Sequence, residues 1–321
     1  MSIRIAVAAW LLAVLSPLAS AQSFPSKPVR LIVPFPPGGP VDIIARSLAP
    51  AMGNRLGQPV VVENRAGAGG VVGVNVVAKS PADGYSIVLS GPGSLVSAPF
   101  MMDAFPYDVM RDLAPITLVA RIPGVVAANP SAGFKTVREM IDYAKANPGK
   151  LSYASAGAGT LTHLTGELLK IEAKIDILHV PYKGGAPAAT DLLAGSVQLM
   201  FPDLPAVLPQ IRNGSLLALA VTTASRAASL PQVPTVAESG FPAVISESLY
   251  GMLGPAGMPA PVLRLLNSSA VDAMRAPEVS QQMERAGAAA APTFPEEYRG
   301  LIQADRNRWE RVIKVTGTKM E

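Results

Sequence analysis

Residues 30–48 read RLIVPFPPGGPVDIIARSL. A short apolar run gives way to a Pro/Gly turn and then to a helical pattern. In that pattern Ile43, Ile44, Leu48 and Met52 recur at helical spacing, while Arg46 and Arg55 fall off the apolar face. The same order returns at 151–170, LSYASAGAGTLTHLTGELLK. Each copy runs on into a second strand and a second Gly turn, VVVENRAGAGG in one and ILHVPYKGGAP in the other. An alanine-rich helix and a further strand follow in both, YSIVLSG and VQLMFPD. Sequence identity between the copies is slight, so what repeats is architecture: two similar α/β lobes.

The rest of the chain fits that plan. Strands are predicted at 30–34, 60–63, 86–90, 116–120, 125–128, 151–154, 177–180, 198–201 and 217–222. Helices are predicted at 41–56, 71–79, 136–147, 161–171, 186–194, 260–274 and 295–314. Strands alternating with helices predict mainly parallel sheets flanked by helices. ITLVARIPGVVAANP, residues 116–130, is two strands long with one Pro-Gly interruption, as expected of a chain leaving one lobe for the other. SLYGMLGPAGMP, residues 248–259, is a second crossing. Lobe 1 is then expected to comprise 22–121 plus 247–321, and lobe 2 122–246. Two lobes joined by two crossing strands can hinge around a cleft.

The first residues, MSIRIAVAAWLLAVLSPLASAQSF, combine a basic start, an apolar core over 6–15 and an A-x-A site at 19–21. They predict a secretory signal peptide, residues 1–21, cleaved after Ala21, and hence export to the periplasm. Ten apolar residues are too few for the ~20 of a spanning helix. The chain has no cysteine, so disulfides and lipidation are excluded and the fold rests on its cores. Hydrophobic residues make up 49% of the sequence, enough for two cores. The formal charge of +4 is scattered, and aromatics are only 5%. A nucleic-acid partner would need a basic stripe interleaved with stacking aromatics, so none is expected.

Ligands of open α/β sheets sit beyond the carboxyl ends of the strands, where the Gly turns fall. Helix N-termini there offer unpaired N–H groups and a partial positive charge. The turn Phe35-Pro36-Pro37-Gly38-Gly39-Pro40 is therefore a candidate anion site, with Asp42 expected to cap the helix. Specific phosphate motifs are absent, and the prolines remove N–H donors. The second loop, Ser155-Ala156-Gly157-Ala158-Gly159-Thr160, is richer in hydroxyls and backbone amides. Neither loop contains Lys or Arg. Helix ends plus a few charge-assisted hydrogen bonds, at ~1.5–3 kcal/mol each, reach the ~8 kcal/mol of micromolar binding. A small carboxylate fits that arithmetic.

Catalytic patterns are missing. H-E-x-x-H, G-x-S-x-G and S-x-x-K do not occur, and no His-carboxylate spacing suits a metal, so neither metal nor cofactor is expected. His163 falls in the first turn of the second helix, either facing the cleft or packed as a cap; His179 lies within a strand. Asp203 follows VQLMFP at a strand end, as an acceptor for a ligand amine or hydroxyl or as a turn residue before Pro205. Tyr182 and Gly184 of VPYKGG end another strand on the cleft side. A secreted enzyme using Asp42, His163 or Asp203 is the rival class, and a sensor for a signalling receptor is a third.

The stretches FPSKPVRLIVPFPPGGPVD, GQPVVVENRAGAGG, AKSPADGYSIVL, YASAGAGTLTHLTGELL, VPYKGGAPAATDLLAGSVQLMF, LALAVTTASR, PTVAESG and GMLGPAGMP resemble, in order, the Bug-type (Bordetella uptake gene) substrate-binding proteins of tripartite tricarboxylate transporters. The resemblance implies a type II periplasmic binding protein, a monomeric "Venus flytrap" that is no enzyme. It would capture a small organic carboxylate and deliver it to the transporter's membrane subunits. It also implies ligand contacts on Phe35, Pro36, Pro37, Gly38 and Gly39, and on Ser155, Ala156, Gly157 and Thr160. Two departures stand out. Relatives read P-G-G-[GS]-x-D where this chain has Pro40 and Val41, which points to that pair for specificity. Relatives often read M-F-D-N where this chain reads MFPD, so Pro202 holds the usual acidic position and Asp203 the next. If that acid holds an ammonium in relatives, its displacement implies a ligand without one.

Overall fold

A computed structural model describes residues 24–319. The expected signal peptide and its cleavage site lie outside the described residues. Lobe 1 begins with β1 (Val29–Val33), buried at every residue except Arg30. Helix α1 (Pro40–Leu56) follows, with Pro40 at its first turn, where a missing N–H costs nothing. Val41, Ile44, Ala45, Leu48, Met52 and Leu56 form its buried stripe at helical spacing; Ile43, predicted on that face, lies beside it and is exposed. Then come β2 (Val60–Asn64), α2 (Val71–Ala78) and β3 (Ser86–Ser90). The long β4 (Leu113–Pro123) leads after one residue into β5 (Val125–Ala128) of the second sheet.

Lobe 2 continues with α3 (Val137–Ala146), β6 (Ser152–Ser155), α4 (Leu161–Ala173), β7 (Leu178–Pro181), α5 (Gly185–Ala194), β8 (Leu199–Met200), α6 (Leu208–Arg212) and β9 (Leu217–Val221). The chain returns through β10 (Glu247–Pro255), then forms α7 (Ala260–Arg275), α8 (Pro277–Arg285), β11 (Ala289–Ala290) and α9 (Pro295–Thr316).

The sheets have the orders β11-β4-β10-β3-β1-β2 and β7-β6-β8-β5-β9. The repeat read from sequence is therefore a repeat in space. In each lobe the strand before the Gly loop is central, flanked in parallel by the next two strands of its copy: β2 and β3 around β1, β7 and β8 around β6. The expected two-lobed α/β architecture is present, and each sheet is mixed: β10 runs antiparallel to β3 and β4, and β5 antiparallel to β8 and β9. The reason is geometric: β10 and β5 each enter from the other lobe and travel against the local strands.

The two crossings are stitched together. Thr222 donates its N–H to the Gly124 carbonyl (2.9 Å) and its hydroxyl to the Ser246 carbonyl (2.6 Å). A Cβ on Gly124 would stand 2.5 Å from the Thr222 hydroxyl oxygen, so only glycine allows this approach. Helix α9 packs against α4 of the other lobe, and its Trp309 is buried in an apolar cluster that includes Leu164 and Leu168. Among the described residues no helix is long and apolar enough to cross a membrane.

Candidate functional site

The first loop is held by a carboxylate. Gly39, with extended φ/ψ of −75° and 166°, is the N-cap of α1. Asp42 is therefore not the cap expected from sequence; it stands on the third helical residue and reaches back. It accepts from the Gly38 N–H (2.9 Å), Arg46 Nε (2.9 Å) and Asn64 Nδ2 (2.8 Å), and is 3% exposed. Burial alone would raise its pKa; the bonds from Arg46, Gly38 and Asn64 overcome that and hold it at about 2. Asn64 also donates to the Phe35 carbonyl (3.1 Å), fixing the loop's start. Pro36, Pro37 and Gly38 are exposed. The N–H groups of Gly39, Val41 and Asp42 have no protein partner among the described residues. Val41, of the pair to which the resemblance points for specificity, is 5% exposed and packs in the lobe 1 core. At the second helical position it points into the apolar stripe.

The second loop is held by neutral groups. Its amides, expected free, are largely used within the loop. Ala156 N–H donates to Thr162 Oγ1 (2.9 Å), Gly157 N–H to Ser155 Oγ (3.2 Å) and Gly159 N–H to His163 Nδ1 (3.0 Å). The Thr160 hydroxyl donates to the Gly157 carbonyl (2.7 Å). Gly157 itself has φ +133°, outside what side chains tolerate. The N–H groups of Ala158, Leu161 and Thr162 have no protein partner among the described residues.

His163 does not face the cleft. It is 7% exposed, turned under the loop, and its ring stacks on His179 at 3.8 Å between centroids. Ser155 is fully buried, with its hydroxyl 2.7 Å from His179 Nε2. Tyr182 turns its hydroxyl to Asp191 (2.6 Å), a bond that pushes its pKa up to about 12. Gly184 begins α5 and donates its N–H to the Ala156 carbonyl (3.2 Å).

Between the loops lies a floor that sequence reading only half found. Asp203 forms an isolated bridge with Gly124 and accepts from the Ser248 hydroxyl (2.7 Å). The enclosing protein pushes its pKa up to about 6, against the Ser248 bond. Tyr250, on the returning strand β10, is shifted up by burial and by the Asp203 charge. The same ring meets Phe35 edge-on at 6.4 Å between centroids. Leu161 and Thr162 at the start of α4 line one narrow cavity with Asp203, Ser246 and Ser248. Phe35, Tyr250, Asp203 and Thr162 thus connect the first loop to the second. Tyr250, Ser248 and Thr162 were not picked out from sequence; SLYG carried the only signal, as a crossing strand.

Two helices, α1 after β1 and α4 after β6, thus begin with N–H groups that have no protein partner among the described residues. A profile of the tripartite tricarboxylate transporter family receptor, TctC, matches residues 44–318. The chain belongs to that family. The receptor is 38% identical to the protein BugT of Bordetella pertussis over 303 residues, 94% of this chain and 93% of that one. Its fold is similar to that of Rhodopseudomonas palustris MatC with bound malate, with 29% identity, a TM-score of 0.78, and 90% of this chain and 100% of that one covered. It is also similar to R. palustris Rpa4515 with adipate, with 33% identity, a TM-score of 0.83, and 93% and 100% covered. The receptor is thus a Bug-type substrate-binding protein of the TctC family.

Proposed function

We propose that the receptor is a periplasmic solute-binding protein that captures a small organic carboxylate between the 35–40 loop and the 155–160 loop and hands it to transporter membrane subunits. One observation carries this reading: among the described residues six backbone N–H groups at the two helix starts lack protein partners, and neither loop contains Lys or Arg. Such groups favour a compact anion. Relatives with bound malate and adipate support the same class of ligand. The ionisable groups of the loops, Asp42 and His163, already have partners, which favours binding over catalysis. The N–H groups of Gly39, Val41, Asp42, Ala158, Leu161 and Thr162 make the ligand-facing edge; Gly38, Ala156, Gly157 and Thr160 shape the loops that present it, and Asp42, Ser155 and His163 brace them. Tyr182 and Gly184 border the second loop, and Asp203 meets the ligand's uncharged or donor end. Lobe 1 is taken as 22–121 plus 247–321 and lobe 2 as 122–246, with β4 running two residues past the first boundary. The unit is a monomer.

Binding that engages both loops favours the closed arrangement of the lobes. Isothermal titration with malate, adipate, citrate and a neutral sugar tests the proposal. Saturable binding of a carboxylate with Kd near micromolar, about 8 kcal/mol, and none of the sugar, is expected. Binding of the sugar alone would sink it.

A further inference from the structure

The stacked imidazoles of His163 and His179 come from different elements, α4 and β7, and meet behind the second loop at 3.8 Å with a 9° interplanar angle. Both touch loop backbone or its anchor. His163 Nδ1 accepts the Gly159 N–H (3.0 Å), and His179 Nε2 lies 2.7 Å from Ser155 Oγ, which in turn accepts the Gly157 N–H. An N–H aimed at Nδ1 requires that nitrogen to be bare, so His163 is neutral with its proton on Nε2. That proton points toward Glu167 Oε1, 3.8 Å away. We propose that the His163–His179 pair is the positioning element of the second loop: as neutral rings the two hold residues 155–160 in shape, and a proton on His163 releases Gly159. This rests on the reading that the 155–160 loop carries ligand.

The chemistry is a donor–donor conflict. A proton on Nδ1 would face the Gly159 N–H with no acceptor between them. A proton on His179 would place a cation against the neighbouring ring, so the pair carries at most one charge. The ionisable groups facing the pair are Tyr153 from β6, and Glu167 and Lys170 from α4. The Glu167 carboxylate is already taken by the Tyr153 hydroxyl (2.6 Å) and Lys170 Nζ (2.9 Å), which weakens its pull on an imidazole proton. Burial, above all, keeps both rings neutral: His163 is lowered from 6.5, and His179 falls to about 4 with help from His163. For a lowered imidazole the effect is absent above the ordinary value and grows as pH falls from about 6.5 toward about 4.

The test has a ligand-free arm and a binding arm. Imidazole nitrogen shifts of the full mature protein are expected to report two neutral rings at pH 7, with Nδ1 of His163 bare. On acidification the Gly159 amide is expected to shift with the imidazole titration. In His163→Asn, whose Oδ1 keeps an acceptor near the Nδ1 position but takes no proton, that coupled shift disappears. A cationic ring at pH 7, or an imidazole titration that leaves Gly157 and Gly159 unmoved, overturns the proposal. In the binding arm, malate and adipate affinities are compared between pH 7 and pH 4.5. The wild type is expected to lose roughly two- to tenfold more affinity than His163→Asn, the fraction of receptor with a released loop. His179→Gln, which keeps a polar atom toward Ser155, serves as the second variant. Equal losses in wild type and variants overturn the link to binding. If neither acid binds at any pH, the carboxylate reading falls, while the amide shifts still decide whether the pair positions the loop.

Discussion

In lobe 1 a buried carboxylate gathers the loop: Asp42 draws Gly38, Arg46 and Asn64 onto one side chain. In lobe 2, at the equivalent place after β6, hydroxyls and two neutral imidazoles do the same for Ala156, Gly157 and Gly159. Element order and sheet position are shared, yet the braces differ in charge. Three prolines in 36–40 leave the first loop few N–H groups to satisfy, so one carboxylate is enough. The second loop has an N–H on every residue and consumes most of them internally. Both end with the same result, free amides at the helix start, reached by opposite electrostatics. The braces should therefore respond differently to acid: Asp42 stays ionised down to about pH 2, whereas the histidine pair fails well above that.

Asp42→Ala should break the comparison most severely. Three bonds to a buried carboxylate are lost, a loss of ~2–4 kcal/mol in urea unfolding. Its pH signature has a definite sign. The folded pKa is depressed from 3.8 to about 2, so the Asp42 contribution is full above 3.8 and disappears as pH falls through about 2. An equally stable Asp42→Ala protein would mean that the first loop needs no brace. Thr162→Val removes the acceptor of the Ala156 N–H while keeping shape, and should cost ~1 kcal/mol, with carboxylate affinity falling alongside stability. Arg46→Ala should cost the least in urea unfolding, because the Arg46 side chain is 52% exposed and water replaces it. A larger loss there would make the ion pair, rather than the backbone bonds to Asp42, the true brace of lobe 1.

Much of this could be read locally. The 30–48 and 151–170 stretches announce strand, Gly loop and helix through short-range periodicity, and their boundaries match β1–α1 and β6–α4. The roles of individual side chains were less legible. Asp42 was expected at the cap and sits two residues inside the helix; His163 left two orientations open, and only packing against His179 decides between them.

By itself the sequence determined that two similar α/β lobes exist and where the helices after the two Gly loops open, because hydrophobic period, proline and glycine act within a few residues; the helices at Leu208–Arg212 and Pro277–Arg285 carried no such signal. Tertiary structure decided the direction of the strands that run against each sheet, since β5 and β10 are oriented by the lobe they come from. It also decided the cleft floor, where Asp203, Ser248 and Tyr250 meet Phe35 and Thr162 from widely separated parts of the chain. Contacts of that kind depend on how distant elements pack, and no local pattern encodes them.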